Sequence, residues 1–132
     1  MRLVIALDVA LHLIEARTVL PGHHQLLAPT LLRSQVLSAL YQAAARGEIT
    51  KAEASARMDF LRKLKPRLLG DRVLQAHAWA IAERLGWEDT LVAEYLALTR
   101  LQADGLVTLD DALAQAIAAE VAVVSLDTLL GR

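Results

Sequence analysis

The chain has 132 residues, 55% of them hydrophobic, which is one domain's length with ample apolar content for its own core. Fourteen basic against fifteen acidic residues leave a net charge of −1, so composition supplies no general polyanion-binding surface, and any RNA or DNA contact has to be local. The absence of cysteine excludes disulfides, thiolate catalysis and Cys-ligated zinc, and it fits a reducing compartment such as the cytosol.

The opening MRLVIALDVALHLIEA is apolar, but Asp8, His12 and Glu15 interrupt it and it has no small-residue cleavage site. It reads as a core strand running into a helix rather than a signal peptide. Despite a positive mean hydropathy, no uncharged stretch approaches the roughly 18 residues of a membrane span, so no membrane association is expected. Leu3 to Leu7 is a continuous apolar run, which suits a strand buried on both faces of a parallel sheet, and Val9 to Ala16 is expected to be helical. HQLLAP, His24 to Pro29, gives a second short strand that ends on a proline unable to donate to a ladder.

Thr30 is placed to cap the helix LLRSQVLSALYQAAARG, which stops at Gly47. In EITKAEASARMDFLRKL, Thr50 and Glu53 have capping-box spacing, and Pro66 ends that helix. Two further helices are expected over roughly Asp71 to Leu85 and Asp89 to Ala103, with Gly86 and Gly105 as stops. After Gly105, LVT is read as a strand, LDDALAQAIAAE as a helix and VAVVSL as a final buried strand. Strand, helices, strand, helix, strand implies crossover connections: a three-layer α/β fold with a central parallel sheet of four or five strands flanked by helices, spanning residues 1–132 as a single domain. In such sheets sites form at the carboxyl ends of the strands, which directs attention to Asp8, Thr30 to Gln35 and Thr108 to Asp111.

Outside those positions the chemistry-bearing residues have ordinary readings. His23 and His24 are adjacent in a loop and read as a solvated turn, and His12 and His77 are lone residues in apolar helices. The run Arg62, Lys63, Lys65, Arg67 reads as a solvated helix face, because no aromatics interleave it for base stacking, with steering of RNA toward the sheet as the alternative. Trp79 and Trp87 are expected as core anchors.

Three stretches, LLAPTLLRSQVLSAL, LGDRVLQAHAWAIAERLGWEDTLVAEYLALTRL and LVTLDDALAQA, make nearly the whole chain resemble a PIN domain, specifically the VapC toxins of bacterial type II toxin–antitoxin pairs. The resemblance implies a Mg²⁺-dependent ribonuclease built on four acidic side chains, a homodimer, and a small antitoxin partner. Mg²⁺ takes hard oxygen ligands, and the bound ion activates water and neutralises charge on phosphate.

Only part of that acidic set is present. Asp110, preceded by Thr108, stands at the last position. The second falls on Gln35, which offers an oxygen without charge, and the third, directly before AEYLAL, falls on Val92, which offers no ligand atom. The first depends on register. Matching Val9, Ala10 and Leu11 to the family puts it at Ala6, whereas the alternative puts it at Asp8 itself. In the first register Asp8 lies two residues on, and strand periodicity would turn it to the same side as Ala6, as a displaced substitute.

Asp8 and Asp110 are thus the candidate metal ligands, with Asp89, a turn before Val92, as a rescuing acid. Helix capping is the ordinary reading of Glu88 and Asp89, and a first-turn helix acid that of Asp111. Weak binding of Mg²⁺ or Mn²⁺ is expected. The functional expectation is a VapC-like homologue with cleavage weak or lost, retained for antitoxin binding. The alternatives are an active endoribonuclease with a rearranged acidic site, RNA then being a partner, and a PIN-like structural or dimerisation module.

Overall fold

A computed structural model describes residues 1–132. Leu3, Val4 and Ile5 are completely buried, and they form the heart of β1 (Arg2–Ile5), which has a parallel partner on each side. The partners are β2 (Gln25–Pro29) and β4 (Gly105–Val107); β3 (Arg67–Leu69) lies outside β2 and β5 (Val123–Val124) outside β4. The sheet therefore has five strands, all parallel, in the order β3-β2-β1-β4-β5, with β1 central as the apolar run from Leu3 implies.

Parallel neighbours require crossovers, and helices supply them. α1 (Leu7–Ala16) follows β1, α2 (Leu31–Ala45) and α3 (Lys51–Leu64) link β2 to β3, and α4 (Arg72–Leu85) and α5 (Leu91–Gln102) link β3 to β4. α6 (Asp111–Ile117) joins β4 to β5, and α7 (Leu126–Leu130) closes the chain. α5 packs across β1, β2 and β4 with α4 outside it, whereas α1, α2 and α3 pack on one another. The result is the expected α/β fold with helices flanking a parallel sheet around one continuous apolar core.

Several boundaries differ from the sequence reading, each for a local reason. β1 stops at Ile5 rather than Leu7 because Ala6 is already the N-cap of α1: its backbone is extended, and its carbonyl accepts the Ala10 N–H at 3.0 Å. Pro29 is tolerated in an internal strand because it lies beyond the last register pair with β1, Val4 with Leu27. β3 was not expected, since three residues behind Pro66 carry too little pattern. Gly105 does not stop a helix. α5 has ended at Gln102, and Asp104 pins the chain to β1 by taking the Arg2 N–H on its carboxylate and giving its own N–H to the Arg2 carbonyl, both at 2.7 Å. Gly105 is the first residue of β4, paired with Leu3. The last apolar run forms only a two-residue strand before Ser125 caps α7 by accepting the Thr128 N–H.

The caps also divide. Asp71 caps α4, and Gly86 ends it in the left-handed conformation that a residue without Cβ adopts freely. Thr50 accepts the Glu53 N–H at 3.0 Å, but the Glu53 carboxylate takes Arg17 at 2.9 Å and Arg57 at 2.8 Å instead of closing a capping box, which ties α1 to α3. Thr30 makes no side-chain cap. Trp87 packs on the core as expected, whereas Trp79 is 68% exposed on the outer side of α4 and anchors nothing.

Two stability measurements follow. A Cβ on Gly105 would lie 2.5 Å from Val124 Cγ2 and 3.2 Å from the Ala122 carbonyl oxygen, so Gly105→Ala is expected to lower the urea-unfolding free energy by about 1–3 kcal/mol through overpacking between β4 and β5. The Arg17 and Arg57 guanidiniums hold the Glu53 carboxyl down from an ordinary value of 4.5 to about 2. A depressed carboxylate stabilises the fold above its unfolded value, and that contribution is lost as pH falls toward the folded one. Stability measured from pH 4.5 down to about 2 should therefore fall less steeply in Glu53→Gln than in the wild type.

Candidate functional site

The carboxyl ends of β1 and β4 open onto a pocket of about 240 Å³, and the helices that leave those strands place the side chains around it. Ala6, Leu7 and Asp8 come from the entry to α1, Gln35 from the second turn of α2, and Leu91, Val92 and Tyr95 from α5. Leu106, Thr108, Asp110 and Leu113 come from β4 and the start of α6. All the positions the sequence singled out at the acidic pattern, namely Ala6, Asp8, Gln35, Val92 and Asp110, thus line one pocket.

How Asp8 reaches it differs from the expectation. Asp8 is not an extension of the strand sharing a side with Ala6, because α1 starts at Leu7 and puts Asp8 in its first turn. There its Oδ2 accepts the Thr108 hydroxyl at 3.2 Å and the Leu109 N–H at 3.1 Å, bonds that link β1's exit to β4's. Its Oδ1 is buried without a partner. Thr108 Oγ1 in turn accepts the Asp110 N–H at 3.1 Å, while Asp110 Oδ1 caps α6 by accepting the Leu113 N–H at 2.9 Å. One oxygen of each aspartate is committed to backbone.

Across the pocket, Gln35 Oε1 accepts the Tyr95 hydroxyl at 2.6 Å. Burial pushes the Tyr95 phenol far above its ordinary range, with the Glu94 and Asp8 carboxylates adding to the shift, so it stays a proton donor at any physiological pH. Burial also raises the Glu94 carboxyl. Tyr95 is the lining residue that the acidic pattern alone passes over. Its signal was its spacing, three residues after Val92 and therefore on the same helical face. Val92 itself is half-exposed at the pocket, which Leu91 and Leu113 line with it.

Asp89 does not reach this pocket. It borders a neighbouring depression with Trp87, Glu88, Val92 and Leu113, and its Oδ1 accepts the Leu91 N–H at 3.0 Å as a cap-like contact at the start of α5. Asp111 is the first residue of α6, as its ordinary reading had it. His12 and His77 are exposed on α1 and α4, and His24 donates from Nε2 to the Thr128 carbonyl at 3.2 Å. The basic run does not face the pocket of Asp8 and Asp110; Arg62 and Lys65 line a separate one with Arg33.

The donor set does not fit a tightly held Mg²⁺. No three acidic or histidine side chains come together to share an ion, Asp8 and Asp110 each spend an oxygen on a backbone N–H, Gln35 is engaged by Tyr95, and Val92 contributes only carbon. Comparison with known protein families and with characterised proteins finds no match.

Tyr95→Phe isolates the cross-pocket hydrogen bond, since it deletes the hydroxyl and leaves the ring packed. It is expected to cost about 1 kcal/mol in urea unfolding, because the half-buried Gln35 amide then loses its only partner.

Proposed function

We propose that this chain is a VapC-like PIN-domain homologue whose RNA cleavage is weak or lost, and that it is retained in the cytoplasm to bind a small antitoxin-like chain. The observation that carries the reading is the convergence of Ala6, Asp8, Gln35, Val92 and Asp110 on one pocket at the carboxyl end of a five-stranded parallel sheet. They cover the four positions where the family resemblance calls for acids, Ala6 and Asp8 being the two registers of the first.

Removing charge from such a pocket costs metal affinity steeply. At an effective dielectric near 20, a carboxylate about 4 Å from a unit charge contributes roughly 4 kcal/mol before desolvation, and about 1.4 kcal/mol is tenfold in affinity. Protein binding needs packing instead, and the apolar lining of Leu91, Val92 and Leu113 suits it. Exposed Leu37 and Tyr41, one turn apart on α2, support self-association into a homodimer.

One observation favours a second reading, an active endoribonuclease with a rearranged site: Asp8 Oδ1 is buried with no partner and is a free ligand atom. Titration with Mn²⁺ separates the two. The wild-type chain should bind Mn²⁺ weakly and give little or no RNA cleavage, whereas Val92→Asp with Gln35→Glu should tighten binding about tenfold or more, and Ala6→Asp further still. Metal-dependent cleavage by the wild type that disappears in Asp110→Ala would overturn the first reading in favour of the second. Failure of the chain to copurify with the product of an adjacent small gene would overturn the antitoxin part.

A further inference from the structure

The sheet has two open edges, and they are not alike. β5 has two residues, whereas β3 runs between two pockets, one on each face of the sheet, and Leu68 lines both. The Leu69 carbonyl accepts the Thr30 N–H at 3.2 Å and so faces β2. Backbone groups alternate along a strand, so the N–H and carbonyl of Leu68 face away from β2, toward the open edge.

The pocket on the α2 and α3 side, of about 400 Å³, has a floor of Leu32, Met58, Leu61 and Leu68 and a rim of Arg33, Arg62 and Lys65. Arg62 is paired with Asp59, but Arg33 and Lys65 are exposed and stand in no ion pair, nor does Arg67 in β3 itself. The pocket on the α4 and α5 side, of about 520 Å³, is lined mainly by apolar side chains, including Leu69, Val73, Leu98 and Leu101. Val73 and Leu101 are exposed there.

We infer that β3 is a docking edge for an extended segment of a partner protein that alternates acidic and apolar side chains. A strand laid along β3 would pair its backbone with Leu68. By the period of two, it would turn successive side chains to opposite faces of the sheet. Acidic side chains would meet the unpaired Arg33 and Lys65, and apolar ones would cover Val73 and Leu101. Charge complementarity selects an acidic over a basic or neutral strand, and the two unlike pockets select an alternating over a uniform one. This surface lies apart from the pocket of Asp8 and Asp110, with which its two pockets share no lining residue.

The probe is a blocked hexapeptide alternating Val and Glu, titrated into the isotopically labelled full chain and followed by amide shifts, with the Val and Lys peptide and a ten-nucleotide single-stranded RNA as comparisons. The expected result is a shift centred on Leu68 and its neighbours, affinity for the Lys peptide lower by about tenfold or more, and a reversed order in the Arg33→Glu, Lys65→Glu double variant. Methylating the central backbone nitrogens of the Glu peptide, which leaves the protein untouched, should weaken binding by a similar factor. Equal affinity for the two peptides, no shift at Leu68 up to ~1 mM peptide, indifference to backbone methylation, or tighter binding of the RNA to the same amides would each overturn the proposal.

Discussion

Everything in this molecule is hung on β1. Its three interior residues have no surface at all, and both its edges are paired, so β1 has no freedom to slide: a one-residue shift would turn every side chain to the other face. The Ala6 N–H donates to the Val107 carbonyl at 3.0 Å, which fixes the point where the strand ends and α1 begins. Asp8 sits where it does for that reason. Its carboxylate bonds to Thr108 and Leu109 then restate, in side-chain form, the pairing that the backbones of β1 and β4 have already made.

The pocket at that junction is polar at its base and apolar at its lip. Each of its two aspartates has one oxygen taken by a backbone N–H, and its amide and phenol satisfy each other. This arrangement favours persistence of shape over reactivity. Groups that spend their lone pairs on the scaffold are well placed to keep a cavity open, and poorly placed to exchange partners with an ion or a substrate. A packing role for the cavity agrees with the physics of what lines it, because a hydrophobic rim gains from exclusion of water whereas an isolated carboxylate loses.

Much of this could be read from the sequence, and the reasons for the failures are physical. The apolar run after Arg2 announces a strand buried on both faces, and the alternation of strands with long helical segments announces a parallel sheet. The residues of the acidic pattern reach one place because topology, not local pattern, brings strand ends together. What stayed hidden was short or masked. Arg67 to Leu69 is three residues long and follows a basic, helical stretch, so no periodicity separates it from a loop, and α7 is a single capped turn of similar obscurity. Trp79 misleads because indole size argues for burial while its position on α4 decides against it. Gly105 misleads because a glycine after a helix resembles a stop, although here its value is the close approach of β5.

The site straddles β1 and β4, and Asp8 and Thr108, which meet there, are 100 residues apart in sequence. Closing so long a loop costs entropy that grows with the logarithm of its length, and that cost falls before the contact returns anything. β1 and β2, much nearer along the chain, close a shorter loop than β1 and β4 do. The pocket is consequently a long-range feature, which exists only where β4 is seated on β1. An incompletely folded chain carries half a cavity, with Asp8 still in water, so any partner that reads the whole cavity discriminates between finished and unfinished molecules.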